Sequence, residues 1–212
     1  MHIDADAVMW SAPERERASR PLLVLLHGYG SHEGDMFAMS RSLPLEPVIA
    51  SVRAPHSEGA GFTWFPSVDD TSSRGASADA RFDAVGASVA ALVEWLDSTA
   101  STAVGLLGLS QGGAMALELL REQPERFSYV VQLSGFVFPS EHAGDARLAE
   151  LRPPVFWGRG THDTVIPESL INHTQEWLET HSTLTEGIYE GLGHAVADAE
   201  VSELGAFIRS RL

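Results

Sequence analysis

Short, continuous apolar runs alternate along this chain with longer stretches of helical periodicity. Pro21 to Leu26 is one such run, closed by His27-Gly28-Tyr29-Gly30, the pattern of a strand buried on both faces and ended by a glycine turn. Ala103 to Leu109, Tyr129 to Leu133 and Pro154 to Gly158 repeat it, with Val48 to Val52 and Thr185 to Tyr189 as weaker examples. Between them, Asp79 to Asp97 sets Phe82, Val85, Val89, Leu92, Val93 and Leu96 at three- and four-residue steps, which predicts an amphipathic helix. Ala114 to Glu122, Ser169 to Glu179 and Val196 to Arg209 read the same way. Strand and helix in alternation predict an α/β fold around a mostly parallel sheet. Gly59 to Ala78, rich in Gly, Ser, Asp and Thr, reads as a long surface loop carrying Phe62, Trp64 and Phe65. No repeat or linker interrupts the pattern, and 212 residues suit one domain.

Charge narrows the function classes. With 29 acidic residues against 14 basic ones, all of them Arg, the formal charge is −15, a field that repels phosphate backbones and anionic lipid surfaces. Nucleic acid and stable membrane association are therefore not expected. The chain has no cysteine, so disulfides, thiolate metal sites and a Cys nucleophile are excluded. Met1 to Asp6 lacks a basic leader and an apolar run, which gives cytoplasmic residence as the expectation.

The candidate chemistry centres on Gly108-Leu109-Ser110-Gln111-Gly112-Gly113, which follows an apolar strand and precedes a helix start at Ala114. That is the setting of a GxSxG nucleophile elbow: the glycines admit close backbone approach, and the serine hydroxyl is held exposed in a strained turn. The fold dictates the order serine, acid, histidine. His194, in Gly191-Leu192-Gly193-His194-Ala195 between the last strand and the last helix, is the best-placed base, whereas His173 and His181 fall on or at the end of a predicted helix. Asp163 follows the strand ending in Trp157-Gly158 and could fix the imidazole tautomer; its alternative reading is a turn or cap residue before Pro167. Asp198 is the fallback acid. An oxyanion needs two fixed donors, assigned to the backbone N–H groups of Tyr29 and Gln111, with His27 in a geometric role. Phe62, Trp64, Phe65, Phe136 and Phe138 could line an acyl pocket or simply pack the core. Sets such as His162 with Thr164, or His27, His32 and Asp35, lack the spacing of a metal site, so neither metal nor cofactor is expected.

The assembled motifs, namely Leu26 to Gly30, Arg53-Ala54-Pro55, Gly61 to Pro66, Gly108 to Gly113, Asp163 to Pro167 and Gly193-His194, resemble the phospholipase/carboxylesterase family of α/β hydrolases from about Leu22 to Leu212. The resemblance implies an α/β-hydrolase fold without a large cap domain, and Ser110, Asp163 and His194 as triad. It also implies Tyr29 and Gln111 as oxyanion donors, Trp64 as a wall of the substrate site, and a cytosolic, often dimeric protein. Leu109 stands where Phe is common, and Ser31 to Asp35 replaces a more acidic, asparagine-containing run. Both bear on substrate preference. The expected reaction is hydrolysis of small esters with short- to medium-chain acyl groups. Acyl-protein thioesterase or lysophospholipase action is the nearest alternative, and a non-catalytic ligand receptor the one from another class.

Overall fold

The computed structural model describes residues 1–66 and 78–212. In chain order it contains β1 (Met9–Trp10), α1 (Glu14–Arg17), β2 (Leu22–Leu26), α2 (Glu33–Ala38), β3 (Val48–Val52), β4 (His56–Glu58), β5 (Gly61–Thr63) and α3 (Ala78–Asp97). There follow β6 (Val104–Leu109), α4 (Gln111–Glu122), β7 (Phe127–Leu133), α5 (Asp145–Leu151), β8 (Pro154–Gly160), α6 (Glu168–His181), β9 (Thr183–Tyr189) and α7 (Asp198–Arg209). Seven strands form the central sheet in the order β1-β3-β2-β6-β7-β8-β9. Every pairing is parallel except β1 with β3. This is the α/β-hydrolase fold, with helices on both faces.

The apolar runs are continuous because both faces of the sheet are covered. On β2, Leu22, Val24 and Leu26 face a core shared with α3, α4 and α6 through Leu92, Met115 and Leu178. Leu23 and Leu25 face the opposite core, where Met36 of α2 and Leu204, Phe207 and Ile208 of α7 close the other side. Strand order reverses between β2, which runs on to β3, and β6, which runs on to β7. The crevice outside the carboxyl ends at such a reversal is where ligands bind in open α/β sheets.

Several stretches go beyond the sequence expectation. Part of the loop predicted from Gly59 onward is a hairpin of β4 and β5, with His56 opposite Thr63; residues 67–77 of that loop lie outside the described residues. The hairpin forms because Phe62 pairs with the turn after β2, its N–H donating to Ser31 O at 2.8 Å while its carbonyl accepts from Gly30 at 2.9 Å. Within Ser31 to Asp35 a short helix begins: His32 caps α2, its Nδ1 accepting the Gly34 N–H at 3.1 Å. The antiparallel β1 and the short α5 carry too few periodic residues to stand out in a linear pattern.

Candidate active site

Four loops at the carboxyl ends of the sheet build the site. Ser110 joins β6 to α4 with φ 55° and ψ −117°, a conformation that costs a non-glycine residue roughly 1–3 kcal/mol and persists only where its surroundings enforce it. They do so here. The Ser110 N–H donates to Leu133 O on β7 at 2.7 Å. A Cβ on Gly112 would lie 2.0 Å from Leu26 O, and one on Gly108 would lie 2.1 Å from Gly112 O, so strand and helix approach more closely than any side chain permits. As the first residue of α4, Gln111 has no carbonyl one turn back for its N–H.

His194, after β9, meets both partners named from the sequence. Its Nε2 lies 2.9 Å from Ser110 Oγ, and its Nδ1 lies 2.7 Å from Asp163 Oδ2. The Asp163 side chain is 3% exposed and that of His194 20%. The other carboxylate oxygen of Asp163 accepts the N–H groups of Val165 at 2.8 Å and Ile166 at 3.2 Å. Turn and triad-like geometry are therefore both present at Asp163, and one oxygen remains committed to each. Asp198, the fallback acid, is the exposed first residue of α7.

The turn after β2 lies against the elbow: a Cβ on Gly28 would sit 3.5 Å from the Cβ of Ser110. Tyr29 and Gly30 follow, the latter at φ 69°. Buried His27 ties this turn to the end of β3, Nδ1–H donating to Gly28 O at 2.8 Å and Nε2 accepting the Ala54 N–H at 3.1 Å. Desolvation lowers its pKa, which suits a neutral ring with one donor and one acceptor nitrogen. Both nitrogens are thus committed to backbone. Among the described residues no group of three or more His, Asp or Glu side chains could hold a metal ion.

The predicted pocket residues divide. Trp64 is 0% exposed. Its indole donates to His27 O at 2.9 Å and its ring lies 5.5 Å from that of His27, so it underpins the turn after β2. Phe65 and Phe138 are also buried, their rings 5.3 Å apart. Phe62 and Phe136 are partly exposed. Phe62 carries the Arg53 guanidinium 4.6 Å from its ring centre, and that guanidinium, paired with Glu33, holds the Glu33 carboxyl below its ordinary range. Sequence reasoning missed the Gln111 side chain. Its Oε1 accepts from Thr63 Oγ1 and Trp64 N, each at 2.9 Å, and its Nε2 donates to Phe65 O at 2.7 Å. The available signal was its place between the elbow serine and Gly112-Gly113, where close strand–helix packing would bury an amide that must then find partners.

The description "Phospholipase/Carboxylesterase" belongs to the family whose model matches residues 11–212. Esterase YpfH of Escherichia coli is 28% identical over 198 residues, 85% of this chain and 78% of that protein. Acyl-protein thioesterase 1 of Saccharomyces cerevisiae is 28% identical over 109 residues, 50% of this chain and 48% of its own length; the chain spans about a third to a half of the length of the first curated relatives it matches. Among solved structures, that of esterase PE8 covers 100% of both chains with a TM-score of 0.77 and 26% identity. No described helix is long and apolar enough to cross a membrane.

Proposed function

The chain belongs to the phospholipase/carboxylesterase family, and from that premise we propose that it is a serine carboxylesterase acting on small, short- to medium-chain carboxylic esters. The observation that carries this reading is the series Ser110 Oγ, His194 Nε2, His194 Nδ1 and Asp163 Oδ2, with contacts of 2.9 and 2.7 Å. Ser110 Oγ attacks the ester carbonyl carbon as its proton passes to His194 Nε2, and the imidazolium is stabilised by Asp163. The backbone N–H groups of Tyr29 and Gln111 receive the developing oxyanion. Collapse breaks the carbonyl–alkoxy bond, and the imidazolium protonates the departing alkoxide so that it leaves as the alcohol. His194 then deprotonates a water that attacks the acyl-enzyme, and collapse breaks the acyl–Oγ bond as the imidazolium returns its proton to Ser110 Oγ, releasing the acid.

Burial of Trp64, Phe65 and Phe138, with Phe62 and Phe136 partly exposed, supports the reading of a small acyl site. Aryl esters of graded chain length test this, and a clear optimum at long chains overturns the size assignment. Labelling by a fluorophosphonate, lost in Ser110→Ala together with hydrolysis, tests the serine mechanism; hydrolysis that survives Ser110→Ala refutes it. The likeness to a yeast acyl-protein thioesterase makes thioesters the second reading, separated by paired oxyester and thioester substrates of one acyl group.

A further inference from the structure

The loop that carries His194 is anchored at both ends by different means. Upstream, Gly191 N–H donates to Thr161 Oγ1 at 2.9 Å and His162 N–H to Leu192 O at 2.9 Å, binding the loop to the one that carries Asp163. Downstream, the N–H of Ala197 donates to Glu200 Oε2 at 3.2 Å. Ala197 precedes α7 and its methyl group cannot cap the first turn, so Glu200 reaches back from the third helical position.

Glu200 is wholly buried. Its Oε1 has no hydrogen-bond partner in the structure and rests against β8, where a Cβ on Gly158 would lie 2.0 Å from it. The carbonyl of Gly158 accepts the Ser134 N–H at 2.8 Å, and the neighbouring Leu133 carbonyl accepts that of Ser110. The carboxyl is thus wedged between the His194 loop and the strands that support Ser110 and lead to Asp163. A buried carboxyl oxygen without a partner is unfavourable, and an apolar side chain of similar bulk would fill this space without it. What glutamate adds is the acceptor for Ala197.

We propose that Glu200 is a positioning residue: by holding the Ala197 N–H it fixes the downstream end of the loop, and with it the distance at which His194 Nε2 meets Ser110 Oγ. The proposal rests on the reading of His194 as the general base.

Glu200→Gln and Glu200→Met in the full chain test it, since both are neutral and of similar volume and only glutamine accepts a hydrogen bond. With a short-chain aryl ester, Glu200→Gln keeps kcat within about threefold of the parent, whereas Glu200→Met lowers kcat about tenfold or more with KM within about twofold. Ala197→Pro, at a φ of −94° near the range of proline, deletes the same N–H from the other side and reproduces the kcat loss. It also carries the test if Glu200→Met fails to melt cooperatively. Equal kcat in the Gln and Met variants, or an unimpaired Ala197→Pro, overturns the proposal. Ser110→Ala measured alongside separates the two levels: if it remains active the general-base reading falls, and if it is inactive while the other variants are unimpaired only the role of Glu200 falls.

Discussion

Burial pushes the Glu200 carboxyl from 4.5 up to about 7, with nearby Glu203 adding to the rise and the Ala197 N–H opposing it. Among the described residues, Glu203 on α7 and Tyr189 on β9 interact with it electrostatically, the Tyr189 hydroxyl donating to Glu203 Oε2 at 2.9 Å; neither offers a compensating positive charge. Because the folded-state value lies above the unfolded one, folding favours the neutral acid. Glu200 carries no ionisation penalty below pH 4.5, and stability falls as pH rises towards 7, beyond which the full penalty remains. A shift of this size corresponds to about 3 kcal/mol, of which about 2.5 kcal/mol develops between pH 5 and 8. Glu200→Gln removes the ionisation but buries an amide whose N–H groups also need partners, so its stability at any single pH mixes two effects. The change with pH isolates one. Melting temperatures of parent and variant at intervals from pH 5 to 8 should diverge in favour of the variant as pH rises. At about 2–4 °C per kcal/mol for a chain of this size, the relative gain is about 5–10 °C. A difference that stays constant across that range would refute the assignment of a buried, late-ionising carboxyl.

Three further outcomes follow from the geometry. Asp163→Asn leaves His194 without its carboxylate partner and should lower kcat by about 10³–10⁴-fold, read by steady-state ester hydrolysis, with melting temperature tracking any loss at the Val165 and Ile166 turn. Gly112→Ala forces a methyl group into the Leu26 carbonyl and should destabilise by about 2 kcal/mol or more, read by denaturant unfolding; a neutral result would contradict the close approach of β2 and α4. Gln111→Ala orphans the buried N–H of Trp64 and should cost about 1–3 kcal/mol, while kcat falls less than in Ser110→Ala because the backbone donor is retained.

The strands, the principal helices and their alternation were legible in the linear pattern because burial on both faces turns a strand into an unbroken apolar run, and burial on one face spaces helix residues by three and four. The elbow was equally legible, since glycine on either side of Ser110 is what close backbone packing demands. Order along the chain, serine then aspartate then histidine, singled out residues that the structure holds in one hydrogen-bonded series. The amino-acid sequence alone did not contain the partners of side chains whose neighbours are distant. Trp64 stands in a stretch that reads as surface loop, with pocket lining and core packing both open to it, and it is Gln111 and His27, far away in sequence, that hold it buried. Nothing in the linear pattern distinguishes Glu200 from the other acidic residues of the chain, and only the packing of α7 against Gly158 makes its carboxyl buried and its proton hard to lose. Local patterning is set by a residue's own face of the sheet or helix and so survives in one dimension; hydrogen-bond partnership and desolvation depend on what the fold brings opposite, and these the tertiary structure decided.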